Sequence, residues 1–526
     1  MQVIALTNAR LYDPILGFLQ ADSLIIKQNR IDWIGDWKDR PDPNHTIDSI
    51  NLNGKVILPA FIDTHTHFFE YARKKVAIDL EPAMNLTDIA NILEQYRNSH
   101  PILPKWLRGS GWNRNIYPDS NQMDCHFLDR IFPDIPVSFE SKDFHSKWCN
   151  SLALKAAGIH ADTPNPTGGY IHHFPDGTPN GMLSELAWDL IDRVIPPMTR
   201  PEMKQIARSA IEESWKLGLA GIHSMENAEA FSIYNELDDE GIPFRFCWHF
   251  PSDKLDEMIA SGIHSYTGSE TLKIGGMKIF MDGSIGSQTA SMFEPYPDQP
   301  NYYGHMNMTA PELEQLVEKG VKHGISSSIH AIGDKCVHEV IGVLDRVNHR
   351  HGIMPHRIEH LQCIRKEDIP SLLENRIFCS MQPVHMRTDI PLITKYWSES
   401  AQESAYMFAS LIKAGLEPGF SSDAPVETIS PFQGIYSALE RRHMNNPQNP
   451  SWHPNERIDA STAIKCYTIW AVASTQDQDK RGIIRQGMLA DLIVIDDFTK
   501  EDNTFWLQCA PLITIINGKI TYQIDH

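Results

Sequence analysis

His65 and His67, in Phe61-Ile62-Asp63-Thr64-His65-Thr66-His67, have the types and spacing of a metal-ligand pair. Side chains alternate along an extended strand, so two residues separated by one share a face and both imidazoles reach one ion. A plain pair of polar strand-end histidines has the same spacing. The preceding run Val56-Ile57-Leu58-Pro59-Ala60 is apolar enough for a buried parallel strand that emerges at the mouth of a barrel. Four further residues fall at or just beyond predicted strand ends: Lys278, His330, His360 and Asp423. With the histidine pair they occupy strands one, four, five, six and eight of the predicted series, a distribution hard to obtain by accident.

The elements that must position these residues are legible from pattern. Residues 1 to about 55 read as short strands with turns, and the far end (Ala490 to Asp496, Leu512 to Ile516, Lys519 to Gln523, with Asn517-Gly518 as a hairpin turn) has the same texture. Each half-set is too small for its own core, so the two are expected to pack together. Between them strands alternate with helices, for example Leu272 to Phe280, Ala310 to His323, Ile325 to His330, and Lys335 to Asn348. Counting an opening strand at Val56 there are eight strands. The predicted fold class is α/β: a (β/α)8 TIM-like barrel, a small β-sandwich built from both chain termini, and a large insertion after barrel strand one. The expected boundaries are 1–57 and 481–526 for the sandwich, 58–69 for the first barrel strand, 70–198 for an insertion roofing the site, and 199–480 for the rest of the barrel.

Composition narrows the function classes. The 526 residues are 41% hydrophobic and carry 47 basic against 67 acidic side chains, a net charge of -20, with no basic run to track a phosphate backbone. No nucleic-acid partner is therefore expected, and no membrane partner either, since no window approaches the ~18 continuous apolar residues of a membrane helix; the expected partner is a small-molecule substrate. A homodimer is a fair expectation for so large a chain. The start lacks an export signal, and cytoplasmic localisation is the expectation. The eight cysteines are scattered without a Cys-x-x-Cys pair, which reads as free thiols.

The stretches Phe-Ile-Asp-Thr-His-Thr-His (61 to 67), Lys-Ile-Phe-Met-Asp-Gly-Ser-Ile-Gly-Ser (278 to 287), His-Ala-Ile-Gly-Asp (330 to 334), Arg-Ile-Glu-His (357 to 360), Ser-Ser-Asp-Ala-Pro-Val (421 to 426) and Gly-Met-Leu-Ala-Asp-Leu-Ile-Val-Ile (487 to 495) together resemble the amidohydrolase superfamily. Within it they resemble the branch of YtcJ-like and N-substituted formamide deformylase-like proteins. The resemblance implies two divalent metal ions, most often zinc, in the barrel mouth. His65, His67 and Asp423 would hold the first, His330 and His360 the second, and Lys278 would bridge them as a carbamate. It implies hydrolysis of an amide-like C–N bond, with Asp423 as the catalytic proton carrier.

Other candidates are less specific. His385, beyond strand seven, could donate to the substrate oxyanion or could be structural. In the insertion, Trp112, Arg114 and His145 lie in segments that resemble substrate-lining family segments, with packing of the roof as the alternative. Gln288 stands where an arginine is frequent in this branch, and Ala60 where glycine is common. Gln288 is accordingly a candidate for substrate contact. Two other functions stand beside the amidohydrolase reading: a mononuclear deaminase of an aromatic amine, against which Lys278 argues, and a non-catalytic regulatory protein on the same scaffold.

Overall fold

Eight parallel strands curl into one sheet in this computed structural model, which describes residues 3–41, 47–100, 103–114, 116–141, 146–442 and 448–524. In chain order the strands are β1 (Phe61–Thr66), β2 (Leu219–Met225), β3 (Arg245–Pro251), β4 (Leu272–Phe280), β5 (Ser327–Ala331), β6 (Arg357–His360), β7 (Phe378–Met381) and β8 (Gly419–Phe420). Each pairs in parallel with its sequence neighbour. The circle is joined where the Asp423 N–H donates to the His65 carbonyl at 2.9 Å and the His67 N–H to the Ala424 carbonyl at 2.8 Å. Helices such as Ala310–Lys322 and Asp334–His351 separate the strands. The first of these begins with a capping box, Thr309 and Glu312, the residue pattern that satisfies the free N–H groups of a helix start.

The termini fold together as expected. One sheet of four strands comes from residues 3–51, and one of six strands joins Arg10–Asp13 and Val56–Pro59 to Leu492–Ile495, Ile513–Ile516 and Lys519–Gln523. Their apolar faces share a core that includes Leu6, Leu24 and Ile57 from the front of the chain and Leu492, Val494 and Ile515 from the back. Asn517 (φ 52°) and Gly518 (φ 73°) make the final hairpin turn, a backbone that favours these two residue types.

One strand differs from the sequence expectation. The run Val56–Pro59 does not open the barrel; it pairs antiparallel with Leu492–Ile495 and parallel with Arg10 and Leu11 in the sandwich. The barrel begins at Phe61, just after Ala60. An apolar run buried on both faces has the same pattern in either sheet, so periodicity alone does not assign it.

The chain divides into two compact units, Met1–Phe69 with Ala207–His526, and Glu70–Ile206. The second has its own six-stranded sheet, running from Ile78–Asp79 through Leu107–Trp112, Val137–Ser141, Ser146–Cys149 and Pro179–Glu185 to Gly169–His173. It also has its own apolar clusters, around Leu93, Phe139 and Trp148 and around Leu154 and Leu183. The eight cysteines are unpaired, and among the described residues no helix is long and apolar enough to cross a membrane.

Candidate metal centre

The C-terminal ends of the barrel strands bring together all six residues picked out by spacing. His65 and His67 direct Nε2 toward Asp423 Oδ1, at 3.4 Å and 3.5 Å, and their ligand atoms converge within 4.8 Å of one another. Lys278 Nζ lies 3.3 Å from His65 Nε2. The His330 and His360 rings stand 4.5 Å apart, and His360 is 4.9 Å from His65.

In His65, His330 and His360 one ring nitrogen is held by an oxygen acceptor, and Nε2 of His65 faces Lys278 Nζ. Glu359 accepts from His65 Nδ1 at 2.6 Å, Gln382 Oε1 from His360 Nδ1 at 2.9 Å, and the Gly283 carbonyl from His330 Nε2 at 3.1 Å. A carbonyl or carboxylate oxygen accepts only, so these bonds fix the tautomers and leave the opposite lone pairs pointing inward. Gln382 is itself oriented, its amide donating to the Ser380 carbonyl and the Ser421 hydroxyl. Glu359 is held between Nε and Nη2 of Arg357 at 2.8 Å and 3.1 Å.

Burial sets the charge states. It holds His65 and His360 well below the usual imidazole value, with nearby Lys278 pushing the His65 proton off further, and takes His330 down to about 3. Lys278 is lowered to about 8 by burial, against the pull of Glu359 and Asp423. Asp63 is raised to about 7 by burial, although it accepts from the His65 and Ser422 N–H groups and so ties β1 to the turn carrying Asp423. His360 (φ 76°) and Asp423 (φ 56°) both sit in the left-handed region, which costs a non-glycine residue roughly 1 kcal/mol or more and aims each side chain inward.

A divalent cation fits this donor set. Asp423 Oδ1 is buried without a hydrogen-bond partner, facing the Nε2 atoms of two imidazoles. Groups of this kind suit a positive ion with mixed nitrogen and oxygen ligation.

The remaining candidates make other contacts. His385 is buried, and its Nε2–H donates to the Ser422 carbonyl at 3.1 Å. That proton is committed to the turn before Asp423, the arrangement expected of the structural alternative, and the ring stacks 6.5 Å from that of His360. Trp112 is a core residue of the second unit, 1% exposed, with its indole N–H donating to the Phe139 carbonyl, in line with the packing alternative. Arg114 is exposed in the same unit, and His145 lies outside the described residues. Gln288 is on the loop after β4, with its side-chain oxygen taken by the Gln299 amide. Glu359, Gln382 and Asp63 were not foreseen. For Glu359 the signal was available, since it is two residues from Arg357 on one strand and shares its inward face.

A (β/α)8 barrel with imidazole, amine and carboxylate groups gathered at its C-terminal strand ends defines a class of hydrolase barrels. The chain belongs to the amidohydrolase family, whose model matches residues 48–522. The protein named "Putative amidohydrolase YtcJ" from Bacillus subtilis (strain 168) is 31% identical over 497 residues, 90% of each chain. An Arthrobacter pascens protein named "N-substituted formamide deformylase" is 24% identical over 493 residues, again 90% of each. Among solved structures, an uncharacterized metal-dependent hydrolase from Pyrococcus furiosus superposes with a TM-score of 0.78 at 24% identity, over 94% of this chain and 99% of that one, a likeness of fold.

Proposed function

We propose that the protein is a metal-dependent amidohydrolase that cleaves an amide-type C–N bond in a small N-formyl or N-acyl compound. The observation that supports this most is the unpaired Asp423 Oδ1 facing His65 and His67 beside Lys278. His65, His67 and Asp423 would hold one divalent ion, His330 and His360 a second, and Lys278 as a carbamate would serve both; bound there, such ions would polarise a scissile carbonyl and acidify a water toward neutral pH. The chain's own residues do the rest. Lys278, lowered to about 8, has a substantial neutral fraction near that pH, and the free amine is the form that adds carbon dioxide and releases a proton. Asp423 takes the proton from the attacking water through the carboxylate oxygen that does not face the histidines and returns it to the leaving nitrogen. Phe280, half exposed and 5.4 Å from the His330 ring, gives the substrate an apolar wall.

A mononuclear deaminase fits less well, because such a site has no task for a buried lysine 3.3 Å from a ligand histidine. The test is a hydrolysis screen over N-formyl, N-acetyl and N-acyl-amino-acid compounds with protein of measured metal content. Formamides come first, given the name of the Arthrobacter relative. Release of formate or another carboxylate from one class is expected. No turnover of any amide by fully metallated protein would overturn the proposal.

A further inference from the structure

A second cluster of ligand-type atoms lies in the barrel interior, along the middle of β2 and β3. His223, Cys247 and His249 bring their nitrogen and sulfur atoms within 4.8 Å of one another. At first sight this is another metal site, but a cation already fills it. Arg357 reaches in from β6, with Nη1 donating to His223 Nδ1 at 2.5 Å and standing 3.4 Å from His249 Nε2. The other nitrogen of His249, Nδ1, is engaged with the Ser328 hydroxyl at 2.7 Å.

The same contact orients His223. Because Nδ1 accepts from the guanidinium, the neutral ring carries its proton on Nε2. That Nε2 is buried and has no partner, and Arg481 Nη1 is buried and unpartnered in the same way. Both residues line a small cavity with Cys247, Arg245, Lys273 and Thr475, which leaves about 10 Å³ of freedom for the centre of a water-sized occupant. That is room for about one small body.

Charge completes the picture. Three cations line the cavity: buried Arg245, paired with Asp491, and partly buried Lys273 and buried Arg481, which share Asp477, with the exposed Lys480 also 3.7 Å from that carboxylate. Glu270 also lines it, but its side chain is 41% exposed, with the carboxylate 3.8 Å from Arg30. Three cations thus face two buried carboxylates. Arg357 adds no excess, since Glu359 neutralises it. Two unused N–H donors and one uncompensated positive charge around a hole for a single small body are the requirements of an anion. A water would satisfy the donors and leave the charge.

We propose that this cavity binds one small monovalent anion of chloride or bromide size, held by His223 Nε2–H and Arg481 Nη1–H. The anion balances the cations of the barrel floor and, through His223, steadies Arg357.

Crystals of the full chain grown or soaked in bromide test this directly. One buried anomalous peak between His223 and Arg481 is expected; featureless density or a water there would overturn the proposal. In solution, bromide titrated against gluconate at constant ionic strength is expected to raise the unfolding midpoint saturably, by about 1–3 °C. In Arg481→Met, which removes the surplus charge and one donor, the rise and the peak are expected to vanish. An equal rise in that variant, or no rise in the unaltered protein, would overturn the proposal. Should the variant fail to fold, the bromide peak in the unaltered chain decides.

Discussion

At the scale of single residues, the candidate centre rests on groups whose other side is already engaged. His65 offers Nε2 because Glu359 holds Nδ1 at 2.6 Å, and Glu359 is held by Arg357. Glu359→Gln keeps the shape and removes the charge, so the affinity of the centre for metal is expected to fall about 10–100-fold, measured by titration in metal buffers. Unchanged affinity would show that the carboxylate does not act through His65. Lys278→Ala removes the proposed bridge. Elemental analysis is expected to find about half the metal of the unaltered protein, or less, whereas full retention would sink the bridging assignment. Of these residues His65, His67, Lys278, His330, His360 and Asp423 were legible as side-chain types at strand ends. Glu359 and Gln382 were not singled out, because a carboxylate or amide on an apolar strand announces only that it needs a partner.

At the scale of elements, the strand ends aim the ligands and the strand interiors allow little space. Gly275 on β4 is one of the tightest points, since a Cβ there would come within 2.3 Å of the His249 ring. Gly275→Ala therefore pushes His249 away from Ser328 and is expected to cost about 1–3 kcal/mol, read from the denaturant midpoint. A midpoint within error of the parent would mean that the ring relaxes freely. Element types and order were readable from hydrophobic period, and most predicted barrel strands match. The Val56–Pro59 run was placed in the wrong sheet because its neighbours, Arg10 and the Leu492–Ile495 strand, are remote in sequence.

At the scale of the whole molecule, burying so many imidazoles has a consequence for acid stability. His356, clear of the metal centre, is held down to about 4 by burial, from an ordinary 6.5. The unfolded chain takes up that proton near pH 6.5 and the folded chain only near 4, so stability falls as pH drops across this window and levels below it. In His356→Gln, whose amide oxygen still has the Ser327 N–H to accept, the fall between those pH values is expected to be shallower, as followed by denaturant unfolding at fixed pH. An identical pH profile in the variant would show that His356 does not contribute.

The sequence by itself determined the alternation of strand and helix, the pairing of the two termini, and the six side chains of the centre, because period and residue type are local properties. Only the tertiary structure decided which nitrogen of each histidine is free, that Asp423 keeps an unpaired oxygen, and that Arg357 occupies the inner histidine cluster. Those facts depend on contacts such as His65 with Glu359 and His223 with Arg357, 294 and 134 residues apart along the chain. Closure of the barrel brings such groups within a few ångströms, and no local pattern records that distance.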